Sequence, residues 1–150
     1  MIYSLKLKEL REGREIKQYE IAKMLKISKT TYSEYENEYK IMPIKYLNEI
    51  CNYFKVSLDY IFNITNELTY NKSKNNIDVD LFCKRFKEFR KENKLTQSKL
   101  AVILNTTQST LTGYESGRYI IATPFLYTIC KKYGVSADYL LGKIDYIPEK

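Results

Sequence analysis

Apolar residues recur at helical spacing along the whole chain, and the recurrences come in matched pairs. Tyr3, Leu7 and Leu10 fall at i, i+4, i+7, as do Phe82, Phe86 and Phe89, which predicts a first helix with one buried stripe in each half. Leu47, Ile50, Cys51 and Phe54, matched by Leu126, Ile129, Cys130 and Tyr133, predict a later helix with a fuller apolar face. Between them, short helices are expected from Gln18 to Leu25 and from Gln97 to Leu104. A third pair should start at the caps Ser28 and Thr107 and run to about Glu36 and Glu115. Thr96 suits the N-cap of its short helix, whereas its counterpart Lys17 does not. Pro43 and Pro124 lie near the start of the fourth helices, where proline is tolerated. A fifth short helix is expected after Ser57 and Ser136, with Val56–Ile61 and Val135–Leu140 placed to staple each cap. Asp59 and Asp138 then sit in the first turn, favourable to the helix dipole. Glycines are few, so strands and hairpins have little support.

This pairing is a repeat. Shifting the chain by 79 residues lays 5–63 on 84–142 without a gap, with 17 of 59 positions identical. A unit of that length is too long for a solenoid repeat and fits a whole small domain. The expected organisation is a domain over 1–63, a linker over 64–79, a domain over 80–142 and a tail over 143–150. The linker is polar around TNELTYNKSKNN (65–76). As a free coil it would span roughly 22 Å root-mean-square and about 53 Å fully extended. A packed, rigid linker is the alternative.

Charge separates the two copies. The chain carries +7 overall, but residues 1–71 contribute only +1 and residues 72–150 contribute +6. A basic excess favours polyanions, and here it belongs to the second copy. Three cysteines and no secretory leader point to a reducing cytosol, with Cys51 and Cys130 as small core residues. Cys83 is the third. No apolar run approaches the ~20 residues of a membrane helix. The absence of histidine, CxxC and phosphate-loop glycines offers no metal or cofactor signature, and an enzyme is possible only if carboxylates, lysines or tyrosines do all the chemistry, which nothing in the sequence clusters.

The stretch TQSKLAVILNTTQSTLTGYESGR (96–118) resembles the helix-turn-helix of the Xre family, the Cro and phage-repressor type, and KQYEIAKMLKISKTTYSEYENEYK (17–40) matches the same pattern less well. The resemblance extends to VSLDYIF and VSADYLL and so covers each whole copy. It implies an all-α architecture, two tandem five-helix lambda-repressor-like domains, and a double-stranded DNA partner. Ala22 and Ala101 mark close helix crossings, with Leu25 and Leu104 beneath the turns. In the third helices Thr31, Tyr32, Tyr35, Thr110, Leu111 and Tyr114 should face inward. That leaves Lys29, Thr30, Ser33 and Glu34 on the outer face of copy one, and Gln108, Ser109, Thr112 and Gly113 on that of copy two. Short polar side chains near a helix N-terminus suit the major groove.

Gln108 can pair bidentately with adenine, worth ~1–3 kcal/mol of discrimination, and the resemblance places Gln108 and Ser109 at bases and Gln97 near a phosphate. Lys99 and Arg118 are expected phosphate contacts, which position without reading sequence. Thr107, Gln18, Ser28 and Lys40 complete the candidate DNA-binding set. Arg11 with Glu36, and Arg90 with Glu115, are expected to be structural ion pairs. Copy one departs where Glu34 replaces Gly113 and Glu38 replaces Gly117, putting acid beside phosphate. The function expected is a sequence-specific regulator, most simply a repressor. The alternative is a protein-binding adaptor such as an antitoxin or antirepressor, with copy one serving dimerisation or a partner protein.

Overall fold

The computed structural model describes residues 2–149, with side chains from Tyr3 onward. All regular structure among them is helical. The chain divides into two compact units, Met1–Tyr70 and Asn71–Lys150. No helix among the described residues is long and apolar enough to cross a membrane.

The first unit contains α1 (Ile2–Gly13), α2 (Gln18–Leu25), α3 (Lys29–Glu36), α4 (Ile44–Phe54) and α5 (Leu58–Ile61). Its core is assembled from the predicted stripes: Tyr3 and Leu7, then Ile21, Ala22 and Leu25, then Leu47, Ile50, Cys51 and Phe54, all buried. Leu10 is only half-buried, because it sits at the edge of its stripe. Helix α2 packs on α3, and α1 packs on α3 and α5. Ala22 is buried at the α2–α3 packing, where a larger side chain would push the helices apart.

The second unit repeats this plan with α6 (Val79–Glu92), α7 (Gln97–Ile103), α8 (Gln108–Ser116), α9 (Thr123–Tyr133) and α10 (Ala137–Leu140). Phe82, Phe86 and Phe89 are buried along α6. Phe86 meets Tyr114 edge-on with ring centroids 6.2 Å apart, in an aromatic cluster where it also packs against Phe82 at 5.2 Å and Phe89 at 6.2 Å.

Helix starts follow side-chain chemistry. The hydroxyls of Ser28, Ser57, Thr96, Thr107 and Ser136, and the carboxylate of Asp78, each accept a backbone N–H three residues on. Lys17 has no acceptor to offer. There the Glu20 carboxylate reaches back and accepts the Lys17 N–H at 2.7 Å, half of a capping box.

The stretch between the domain cores is not free coil. In the first unit the Ser57 N–H donates to the Leu68 carbonyl at 2.6 Å and the Tyr70 hydroxyl to Asp59 at 2.8 Å. In the second, Lys74 N–H donates to the Lys143 carbonyl at 2.8 Å and Asp78 N–H to that of Leu141 at 2.9 Å. Lys143 and Ile144 are buried, so the fold of this unit runs past residue 142.

Candidate nucleic-acid interface

Both units tie their first helix to the end of the third by the same fork. Arg11 donates through Nε to Glu36 Oε2 at 2.9 Å and through Nη2 to Oε1 at 2.7 Å. Its remaining Nη1 donates to the Ile16 carbonyl at 2.7 Å. Arg90 repeats this on Glu115 at 2.7 and 3.0 Å and on the Leu95 carbonyl at 2.8 Å. Each fork fixes the third helix against the first and consumes the arginine's donors in structure.

The surroundings of the two forks differ. Burial alone would push the Glu36 carboxyl up, but donation from Arg11 and Gln18 and the nearness of the Tyr32 hydroxyl outweigh it and hold the group below the usual carboxylate value. Gln18 Nε2 lies 3.2 Å from Glu36 Oε1. Tyr32, fully buried, rests beside the pair with its hydroxyl outside good hydrogen-bond geometry, and burial pushes that phenol far up. In the second unit Leu111 replaces Tyr32 and is simply apolar core. There Gln97 turns instead toward α8, accepting from the Thr112 hydroxyl at 3.0 Å.

Helix α8 presents an ordered polar face. Thr107, Gln108, Ser109 and Thr112 are exposed, and so are Lys99 on α7 and Arg118 beyond the helix. The Ser98 hydroxyl donates to Gln108 Oε1 at 3.0 Å, holding the carboxamide at the α7–α8 junction. Gly113 requires a correction. Expected on the open outer face, it is buried: the Tyr119 ring lies directly over it, and an added Cβ would collide with ring atom Cδ2. Lacking a side chain, Gly113 offers a seat for a ring rather than a surface for a base.

The corresponding face of α3 is more self-contained. Ser28, Lys29 and Thr30 are exposed, but Ser33 and Glu34, expected outside, are half-buried because their own neighbours cover them. Asn37 Nδ2 donates to the Ser33 hydroxyl at 3.1 Å and carbonyl at 2.9 Å. Lys40 pairs with Glu34 at 2.9 Å, and that carboxylate raises the Lys40 pKa. Thr31 and Tyr35, expected inward, are half-buried, as is Thr110 in α8.

Two features of this surface had no local signal in the sequence. Tyr119 lies in a connecting segment, outside any helical period. Gln18 carries a side chain that suits a phosphate as well as a carboxylate, and only the fold brings it to Glu36.

The family model described as "Helix-turn-helix domain" matches twice, over residues 6–67 and 83–145. Over 65 residues the chain is 34% identical to an uncharacterized HTH-type transcriptional regulator, YobD, of Bacillus subtilis strain 168. That match covers 43% of this chain and 58% of the relative, so the chain spans little more than half of that protein's length. No solved structure matches. With a match in each compact unit, covering most of the chain between them, the protein belongs to the helix-turn-helix domain family.

Proposed function

We propose that this protein is a transcriptional regulator that binds double-stranded DNA, with α8 entering the major groove as the principal reader. The observation that carries this reading is the α8 face itself. A capped helix offers Gln108, Ser109 and Thr112 at its N-terminal end, flanked by the exposed cations Lys99 and Arg118. Short polar side chains there fit base edges, and the flanking charges fit phosphates. The relative in Bacillus subtilis, named as a transcriptional regulator, supports the same class. Blocking a promoter as an Xre-type repressor is the simplest use of such a module.

For α3, the closed Glu34–Lys40 pair and the exposed Tyr39 and Ile41 beside it favour a weaker DNA contact or a protein-binding role.

Two substitutions separate reading from positioning. Gln108→Ala should relax preference at one base position, at a cost of ~1–3 kcal/mol for the preferred site. Lys99→Ala should weaken all sequences alike and flatten the salt dependence by about one phosphate contact. Titrations of labelled duplexes against salt measure both. Binding unchanged in both variants would contradict the assignment of α8.

A further inference from the structure

Residues 113 and 119 of the second unit, and their counterparts 34 and 40 in the first, share one backbone arrangement and carry opposite chemistry. In the second unit the N–H groups of Arg118 and Tyr119 both donate to the Gly113 carbonyl, at 2.9 and 3.2 Å. In the first, those of Tyr39 and Lys40 both donate to the Glu34 carbonyl, at 2.8 and 3.2 Å. The segment after each third helix is thus folded back onto the same turn of that helix.

On this common frame the side chains diverge. Tyr119 fills the space left by Gly113, and the Arg118 guanidinium lies 5.4 Å from the Tyr119 ring centroid. Arg118 is exposed and has no acidic partner among the described residues. In the first unit the same frame brings Lys40 Nζ onto Glu34 Oε2 at 2.9 Å, an ion pair that closes on itself.

We propose that this position pair sets the phosphate-binding strength of each unit. Tyr119, seated on Gly113, is a positioning residue that steadies Arg118 as a free cation beside the DNA-reading helix. In the first unit Tyr39 stands where Arg118 does, and the lysine that stands where Tyr119 does, Lys40, is held back in the Glu34–Lys40 pair. The proposal rests on the DNA-binding reading above and explains why one scaffold would yield unequal readers. Counterion release makes the difference measurable, since each phosphate contact contributes about 0.9 to the slope of log affinity against log salt.

The test uses the full chain and a fluorescein-labelled mixed-sequence DNA duplex, titrated at several salt concentrations. Arg118→Gln should lower the slope by about 0.9, and Glu34→Gln, by releasing Lys40, should raise it by about 0.9. Across a fourfold change in salt each shift amounts to roughly a threefold difference in affinity. Tyr119→Ala should weaken binding up to about threefold in the wild-type background and have no further effect beside Arg118→Gln. Tyr119→Phe should retain binding. Equal weakening by Tyr119→Ala in both backgrounds would make the residue merely structural and overturn the proposal. Unmoved slopes in Arg118→Gln and Glu34→Gln would overturn it as well.

The seat is tested without DNA. Gly113→Ala should lower the thermal midpoint, and adding Tyr119→Ala should recover part of the loss; an additive double variant contradicts the packing claim. If the wild-type chain binds no duplex even at low salt, the DNA-binding reading falls and takes this inference with it. If it binds with slopes that the variants leave unmoved, only the inference falls.

Discussion

At the scale of single residues, the Arg11–Glu36 fork concentrates the largest electrostatic commitment of the first unit. The Glu36 side chain is fully buried and that of Arg11 nearly so, so removing either partner leaves an uncompensated charge in the interior. Arg11→Ala should cost about 3 kcal/mol, and replacing both partners by apolar residues of similar volume should cost much less. Urea denaturation midpoints of the single and double variants check this. Acid should act on the same site. The Glu36 carboxyl is held below its ordinary value of 4.5 in the folded protein. Its contribution is therefore complete above that value and is lost as pH falls through the lower folded pKa. Wild-type stability should drop more steeply than that of Glu36→Gln as pH falls below the ordinary carboxylate value of 4.5; parallel curves would contradict the assignment. The fork was legible in sequence because both partners recur 25 residues apart in both copies. The Tyr32 and Gln18 surroundings were not: Leu111 stands where Tyr32 does, and Gln97, identical to Gln18 in the repeat, turns to Thr112 instead of the fork.

At the scale of elements, helix ends carry the clearest link from sequence to structure. Six helices start on a serine, threonine or aspartate whose oxygen accepts the first free N–H groups. Thr107→Ala should therefore destabilise the second unit by about 1 kcal/mol, read from its thermal midpoint. The ends of the third helices are unequal. Gly117 adopts φ +80 at no steric cost, whereas Glu38 takes φ +65 at the equivalent place. A left-handed conformation costs a side chain roughly 1 kcal/mol, so Glu38→Gly should stabilise the first unit and Gly117→Glu should destabilise the second by similar amounts. Equal midpoints across the two swaps would count against the backbone argument. Periodicity and caps made these elements readable before any coordinates. The half-buried Glu34 and buried Gly113 were not readable, because the segment that covers them has no period of its own and meets them only through the fold.

At the scale of the whole molecule, two similar scaffolds carry different surfaces. The repeat was visible in the sequence, as was the concentration of positive charge in residues 72–150. The chain between the cores was less transparent. Its polar composition suits a coil, yet Leu68 and Tyr70 are hydrogen-bonded within the first unit and Lys74 and Asp78 within the second. Polar residues can bond a folded backbone as readily as water, so composition alone does not separate the two outcomes. The unequal faces lead to an expectation for recognition. Gln108, Ser109 and Thr112 offer one set of partners to base edges, while Lys29 and Thr30 offer another, so a chain that used both would prefer an asymmetric site. Selection of bound duplexes from a random-sequence pool at low salt tests the central claim most directly. The account predicts an enriched motif whose affinity falls steeply with salt. Recovery of no enriched sequence, or of binding indifferent to salt, would contradict it.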